Sequence, residues 1–358
     1  MRWRLKYLMA SLAFLSGCAQ PGNSRDADGE NRNAFNFNSA GERPAISNER
    51  LRAVNDWAYQ LQGDPAIDLE ALGRTPFDLV VIDYSRDGRE NGAFSTGEIT
   101  GLKSSSGGAK IVLAYMSIGE AEIGRFYFNN AWIRPDPNVN PDGPFTLTSS
   151  APSFLAAPNP NFPDNFKVRY WEPRWQQIII HNPGGHPDIS DSAAYLDRIL
   201  AAGFDGVYLD IIDAFEFFAD ERDSAAADMV TFVAAIADYA RAQRPDFIVV
   251  PQNGSGIIAE VATDARARYF AAINGIGAED TFYFGDADEN NPFNPQTATV
   301  EFLREFRQAG LTVLAIDYLA QRAAIDDFYA RARAEGWVPY ASVRALDRPI
   351  VNPSQPPD

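Results

Sequence analysis

The sequence predicts an α/β protein folded as a single-domain (β/α)8 TIM barrel. Seven apolar runs of strand length and one weaker run are spread over about 300 residues, which suits one large domain. Most of these runs are continuous rather than alternating, as in parallel strands that are covered on both faces. A helix end, a Gly and a strand recur in AAGFDGVYLD, RQAGLTVLAID and RAEGWVPYAS, which is the αβ connection of a (β/α) repeat.

The predicted strands follow one another with helical segments between several of them. Residues 224–244 place apolar side chains on one helical face and end before Pro245, and 192–202 and 297–309 are predicted as shorter helices. The strands are FDLVVIDY (77–84), KIVLAYMS (110–117), the weaker KVRYW (167–171), GVYLD (206–210), FIVVPQN (247–253), AAINGIGAE (271–279), LTVLAIDY (311–318) and WVPYAS (337–342).

A doubly wound open sheet is the alternative fold. It would normally show a Gly-rich phosphate loop after an early strand. The chain has no such loop, and its NGIGA run lacks the spacing and the context of one. The barrel is therefore preferred, and nucleotide enzymes such as dehydrogenases are disfavoured.

Both ends of the chain are predicted to lie outside the barrel. Residues 1–17 have the basic start and short apolar core of a signal peptide, and the apolar core is too short to span a bilayer. The LSGC stretch resembles a bacterial lipoprotein lipobox, which implies lipidation of Cys18; an ordinary signal peptide is the alternative. We predict the following units: 18–45, a flexible tether; 46–347, the barrel, with a long loop insertion at 129–166; and 348–358, a Pro-rich tail.

Charge and cysteine content narrow the possible partners. The net charge is −17, and because residues 1–17 hold three basic and no acidic residues, the remaining chain carries −20. Nucleic acid is therefore an unfavourable partner, and a cationic ligand is favoured by long-range attraction. The alternative is that the acidity serves only solubility. Cys18 is the only cysteine, so a disulfide framework is excluded. Separately, we expect the protein to be a monomer.

Five acidic residues lie at or just beyond the C-terminal ends of predicted strands, where TIM-barrel active sites are built. One such acid is commonly a helix N-cap, but five at one rim favour a functional site. Asp213 is set apart as the cap or first-turn acid of a short helix. The five are Asp83, Glu120, Asp210, Glu279 and Asp317.

Aromatic residues accompany these acids. Aromatic rings beside carboxylates suit a sugar, because its apolar C–H face stacks on a ring while its hydroxyls or amines need acceptors. Core packing is the alternative for any single ring. The rings are Tyr84, Tyr115, Trp171, Tyr208, Tyr283 and Tyr318.

Other chemistries find little support in the sequence. Both histidines, His181 and His186, lie in the turn-like HNPGGHPD, and a metal site would need more ligands. There is no G-x-S-x-G elbow and no cysteine nucleophile in the barrel. Paired carboxylates remain, and glycoside hydrolysis uses two of them around the bond. No metal and no cofactor is implied.

The order and spacing of eight stretches resemble a known family. They are similar to the TIM-barrel endo-α-1,4-polygalactosaminidases of glycoside hydrolase family 114, over residues 47–345. The resemblance implies cleavage of α-1,4-linked galactosamine-containing polysaccharide. The stretches are VVIDYSRDG, KIVLAYMSIGEAE, KVRYWEPRWQQII, GFDGVYLDIIDAF, VVPQNG, NGIGAEDTFY, VLAIDY and GWVPYAS.

The resemblance also implies roles for two acids. The family's catalytic acids match Asp210 in GVYLD and Glu279 in GIGAED. Their placement is similar to that in α-galactosidase-type barrels, which implies retention: Asp210 attacks the sugar, and Glu279, with a raised pKa, is the acid and base. We expect the other strand-end acids and rings to bind substrate. Asn253 in VVPQNG either binds a hydroxyl or caps the following helix.

Several alternatives remain open. Another sugar specificity on the same barrel is one, and a non-catalytic polysaccharide-binding lipoprotein is another, although such a binder would be expected to have lost Asp210 or Glu279. The insertion at 129–166 either shapes the groove or is disordered, so endo action is open. The family implies an envelope setting: lipid-anchored, in the outer membrane of a Gram-negative host, or secreted if Cys18 is not lipidated.

Overall fold

The computed structural model describes residues 45–135, 145–182, 184, 186–188 and 193–357. Eight parallel strands form the predicted barrel, and their carboxyl ends meet at one mouth. The strands are β1 (Trp57–Gln60), β2 (Leu79–Asp83), β3 (Ile111–Ser117), β4 (Gly206–Asp210), β5 (Ile248–Pro251), β6 (Gly275–Glu279), β7 (Thr312–Tyr318) and β8 (Val338–Ser342).

Hydrogen bonds join the strands into a closed ring. β1 to β5 form one parallel ladder and β6 to β8 form another. The two ladders meet between β5 and β6, where the Asn253 N–H donates to the Gly277 carbonyl at 2.9 Å. On the other side the indole N–H of Trp57, in β1, donates to the Val338 carbonyl of β8 at 3.0 Å. This bond brings β1 and β8 together, so the eight strands surround the barrel interior.

Helices cover the outside of the barrel and end as the sequence indicates. The three predicted αβ joints have left-handed Gly residues at the helix ends: Gly203, Gly310 and Gly336, with φ of 86°, 78° and 74°. The helices are α1 (Ala45–Arg52), α2 (Leu69–Gly73), α3 (Thr96–Lys103), α4 (Pro173–Ile179), α5 (Tyr195–Ala202), α6 (Ala214–Phe217), α7 (Ala225–Gln243), α8 (Thr263–Ala272), α9 (Thr297–Gln308) and α10 (Arg322–Ala334).

Two strand assignments differ from the prediction. The first barrel strand is Trp57–Gln60, which was not predicted because WAYQ is short and its surroundings are polar. KVRYW was wrongly taken as a barrel strand. Its residues up to Val168 belong to a separate antiparallel sheet, in which Asn165–Val168 lies between Glu120–Glu122 and Leu155–Pro158. The Leu155–Pro158 strand of this sheet, and a further antiparallel pair formed by Ile133–Pro135 and Phe145–Leu147, lie within the region predicted as a long loop.

Aromatic side chains fill the barrel interior below the mouth. The Tyr208 ring lies 5.2 Å from the Tyr59 ring and 6.2 Å from the Trp57 ring, and all three side chains are buried. Gly277 makes room for them, since a Cβ there would lie 1.8 Å from the Tyr208 hydroxyl oxygen. The NGIGA glycines thus serve packing rather than phosphate binding.

Both ends of the described chain pack against the barrel. Leu51 of α1 is buried, and Arg50 pairs with Asp205 at 2.9 Å. In the predicted tail, Asn352 is 4% exposed and donates to the Ala341 carbonyl at 2.9 Å. None of the helices in the described part of the chain is long and apolar enough to cross a membrane. Cys18 and the predicted signal peptide lie outside the described residues.

Candidate active site

Asp210 is the last residue of β4, and it is held by two donors. Its Oδ1 accepts the N–H of Ile211 at 2.8 Å, and its Oδ2 accepts the Tyr115 hydroxyl at 2.8 Å. Tyr115 is close because β3 and β4 are neighbours in the sheet, with Asp210 opposite Ser117. The carboxylate is therefore fixed before any ligand arrives, and it is partly open at the mouth of the barrel.

Glu279 occupies the matching position at the end of β6. Its Oε2 accepts the side-chain N–H of Asn253 at 3.0 Å, and its Oε1 accepts the hydroxyl of Tyr318 from β7. The Glu279 N–H in turn donates to Asn253 Oδ1 at 3.0 Å. Of the two roles predicted for Asn253, the helix cap is not found: its side chain makes two hydrogen bonds with Glu279 instead.

The backbone adopts a left-handed conformation just after β4, β5 and β6. Three non-glycine residues at the ends of β4, β5 and β6 have left-handed backbones: Ile211 with φ of 61°, Asn253 with 58° and Asp280 with 51°. For a β-branched residue such as Ile211 this conformation is unfavourable. Strained residues of this kind cluster at functional sites, where the surrounding structure holds them in place.

Arg344 supports the Glu279 side of the site, and sequence reasoning missed it. Its guanidinium pairs with Asp280, with Nη1 2.7 Å from Oδ2, and lies 3.7 Å from the centre of the Tyr318 ring. It therefore holds the residue that follows Glu279 and the ring whose hydroxyl binds Glu279. Arg344 follows β8 in a stretch without any catalytic motif, so the sequence offered no signal for it.

The two carboxyl groups interact electrostatically. Burial, and then the charge of Glu279, raise the pKa of Asp210 to about 8, while its hydrogen bonds from Tyr115 and the Ile211 N–H act in the opposite direction. In the ligand-free protein Asp210 therefore tends to hold a proton near neutral pH, whereas the nucleophile predicted at this position must be ionised to react.

A chain of polar contacts links Asp210 to a buried ion pair. The Tyr115 hydroxyl also lies 3.4 Å from Glu122, which pairs with Arg125. Arg125 is 7% exposed and reaches Asp83, with Nη2 2.7 Å from Oδ2. Asp83 is thus paired with Arg125 behind the Asp210 side of the site. The E-A-E-x-x-R spacing in the sequence was the available signal for the contact between Glu122 and Arg125.

The remaining residues predicted to bind substrate lie in several surroundings. Glu120 is buried and pairs with Lys167 at 2.7 Å, and Asp317 is buried and accepts three backbone N–H groups from residues 281–283. Their carboxylates hold loops at the mouth together. Four of the predicted rings make contacts within the protein: Tyr208 is buried beneath the acids, Tyr84 packs on Tyr195, Trp171 packs on Phe218, and the Tyr283 hydroxyl donates to Asp327.

The histidines make structural contacts in the described part of the chain. His181 Nδ1 lies 2.8 Å from the Tyr239 hydroxyl, and His186 Nε2 lies 2.8 Å from the Arg174 carbonyl. Among the described residues no group of three or more His, Cys, Asp and Glu side chains is placed to hold a metal ion.

A cleft of about 220 Å³ opens beside Glu279. Asp213 and Glu216 line it from the β4 side, and Phe284 and Phe302 line it from the other side. Burial raises the pKa of Asp213, which Lys167 opposes. A larger cleft of about 550 Å³ lies outside the barrel between α2 and α3, and it shares no lining residue with the acid pair.

Comparisons with known proteins show the family of the chain. The family model described as glycoside-hydrolase family GH114 matches residues 40–355. The chain belongs to family GH114. Family membership identifies the protein as a glycoside hydrolase. Its barrel carries two hydrogen-bonded carboxyl groups, at the ends of β4 and β6.

Relatives of this GH114 protein span nearly its whole length. A protein of Deinococcus radiodurans is 32% identical, over 97% of this chain and 99% of its own. A protein of Methanocaldococcus jannaschii is 34% identical, over 81% of this chain and 77% of its own. The glycoside hydrolase domain of PelA from Pseudomonas aeruginosa has a similar fold, with a TM-score of 0.54 at 20% identity, covering 83% of this chain and 98% of that one.

Proposed function

We propose that this GH114 protein is a lipid-anchored hydrolase that cleaves α-1,4-linked galactosamine-containing polysaccharide with retention. The observation that carries the proposal is the pair formed by Asp210 and Glu279, which end separate strands of the barrel and are held by separate hydrogen-bond donors. Two carboxyl groups that flank a glycosidic bond are what this hydrolysis needs. The acidic cleft beside Glu279 suits a cationic sugar.

In the proposed reaction Asp210 attacks the anomeric carbon while Glu279 gives its proton to the leaving oxygen. The bond from the anomeric carbon to that oxygen breaks, and a glycosyl ester of Asp210 forms. Glu279, now ionised, takes a proton from water, which attacks the ester and releases Asp210 as a carboxylate. Burial raises the pKa of Asp210, and a positive charge on the bound sugar opposes this by favouring the ionised carboxylate that the attack requires.

The test uses the soluble domain, cut before residue 45, with de-N-acetylated α-1,4-galactosamine oligomers and mass spectrometry of the products. We expect shorter oligomers from the wild type and none from Glu279→Gln, whereas the exposed Glu301→Gln on α9 stays active. Proton NMR of the first anomer released tests retention. If the folded wild type binds these oligomers without cutting them, the protein is a polysaccharide-binding lipoprotein instead.

The anchor is tested separately. The proposal that Cys18 carries lipid rests on the LSGC stretch alone. Cys18→Ser should move the protein from the membrane fraction to the soluble fraction of the envelope. Recovery of the wild type in the soluble fraction would contradict the anchor and leave the hydrolase proposal untouched.

A further inference from the structure

One ring at the mouth of the barrel is unusually open to solvent. Three large apolar side chains stand out as exposed in the described part of the chain: Phe217, Phe293 and Val351, at 49%, 47% and 43%. Single exposed apolar residues are common on protein surfaces. Phe217 differs from the other two in its position, because it ends α6, seven residues after Asp210.

The Phe217 ring is held in place by an aromatic cluster. It meets Phe218 edge-on at 4.8 Å, and the buried Phe218 meets Trp171 edge-on at 5.0 Å. The Lys167 ammonium lies 5.9 Å from the centre of the Phe217 ring and is itself fixed by its pair with Glu120. A ring that is already ordered loses little conformational freedom when a ligand binds.

An acid that lines the cleft lies about one helical turn before this ring in the chain. Asp213 precedes Phe217 by four residues, so the two side chains share a face of the short helix. It stands at the N-cap position of α6, as the sequence predicts, yet its side chain makes no cap bond. Asp213 and Glu279 line the same cleft, and their charges interact. Glu216, the residue before Phe217, lines the cleft as well, so the ring stands next to the cleft rather than inside it.

We propose that Phe217 is the stacking platform of a sugar-binding subsite next to the bond that is cut, and that Asp213 accepts hydrogen bonds from the amine or hydroxyls of that same sugar. The inference rests on the proposed function. The apolar face of a pyranose covers the ring, and removing both surfaces from water stabilises the complex. Such a subsite lets the enzyme hold a chain beyond the sugar being cut.

The experiment measures binding by calorimetry in the Glu279→Gln background, where the ligand survives. The two probes are a de-N-acetylated α-1,4-galactosamine oligomer and its N-acetylated form of the same length. Phe217→Ala should weaken binding of both by roughly tenfold, since stacking does not depend on charge. Phe217→Trp should restore binding and change its indole fluorescence when the oligomer is added.

Two further variants test the charge of Asp213 and the position of the exposed ring. Asp213→Asn should weaken binding of the de-N-acetylated oligomer more than that of the N-acetylated one, and the difference should shrink in high salt. Phe293→Ala is the matched control, because that ring has the same exposure but lies under the Arg331 guanidinium at 4.1 Å, against α10. It should bind both oligomers like the parent.

The outcomes separate this inference from the proposed function. Unchanged binding by a folded Phe217→Ala, or an equal loss in Phe293→Ala, overturns the subsite while the hydrolase proposal stands. If the parent binds neither oligomer and the wild type cuts neither, the proposed substrate is wrong and the subsite for it falls as well. Melting temperatures of all variants show whether any loss comes from unfolding.

Discussion

Tyr115 has one hydroxyl proton and two carboxylates within reach, and the shorter contact, 2.8 Å, goes to Asp210. That bond stabilises the ionised form of Asp210, so Tyr115→Phe should raise its pKa further. If Asp210 is the nucleophile, the rising limb of kcat/KM against pH shifts to higher pH, and activity at pH 7 falls roughly tenfold.

The matched control for this variant is Tyr170→Phe. Tyr170 is buried, and its hydroxyl donates to the Ala225 carbonyl, also at 2.8 Å. Its loss should lower stability without moving the pH profile. A Tyr115→Phe enzyme with a lower rate at every pH and an unshifted limb would mean that Tyr115 positions Asp210 without affecting its ionisation.

The raised pKa of Asp210 also makes a prediction about stability. Since the folded state holds this proton more tightly than the unfolded state, the proton stabilises the protein at low pH, and that stability is lost as the pH rises from about 4 to about 8. Asp210→Asn removes the titration. It should therefore melt at a higher temperature than the wild type at pH 8, with the difference shrinking towards pH 5.

Asp327 provides the opposite case. Its pKa is lowered, mainly by its hydrogen bond from Arg331, so its contribution to stability is present at neutral pH and lost in acid. Asp327→Asn should consequently destabilise the protein slightly at pH 8 and less in acid. If both variants showed the same dependence on pH, the electrostatic account of Asp210 would be wrong.

At the scale of elements, the turn from β4 into α6 depends on a glycine in the neighbouring loop. A Cβ on Gly119 would lie 2.2 Å from the Ile211 carbonyl oxygen and 2.8 Å from the Ala214 Cβ. Gly119→Ala should push the left-handed Ile211 and therefore displace Asp210. We expect a loss of roughly 1–3 kcal/mol in unfolding free energy and a larger loss of activity than of folded protein.

Gly101→Ala is the control, because a Cβ there meets nothing within 4 Å inside α3. It should stabilise the protein by roughly 0.5–1 kcal/mol with full activity. Denaturant unfolding measures both variants. A Gly119→Ala protein of normal stability and rate would show that the β4 turn can move without consequence.

The sequence was informative about elements where one pattern dominated. Continuous apolar runs identified seven barrel strands, and the Gly joints identified where helices end. KVRYW failed because alternation and aromatic content suit an antiparallel sheet as well as a barrel, and WAYQ failed because four residues hold too little pattern.

The site was predictable only to the level of strand ends. Strand-end position placed Asp210 and Glu279 at the mouth, but it could not tell which donor each acid would meet. Asp83 meets Arg125 and Asp317 meets backbone N–H groups, whereas Asn253 and Tyr318 converge on Glu279. Those partners come from different strands and loops, so only the closed barrel determines them.

At the scale of the whole molecule, residues 18–358 carry a net charge of −20, and acids line the cleft beside Glu279. A cationic chain is drawn towards such a field before it makes contact, and salt weakens this attraction because the Debye length falls from about 10 Å at 0.1 M to about 3 Å at 1 M. Glu279→Gln should therefore bind the de-N-acetylated oligomer with an association rate that falls severalfold between 0.05 and 0.5 M salt.

The N-acetylated oligomer of equal length is the neutral control in the same stopped-flow experiment. Its association rate should change little with salt, since it carries no charge for the field to act on. Dissociation rates separate the two origins of affinity: long-range attraction alters mainly association, whereas stacking on Phe217 alters mainly dissociation. Equal salt dependence for both oligomers would mean that the acidity serves solubility, and that recognition of the amine depends on close contacts such as Asp213.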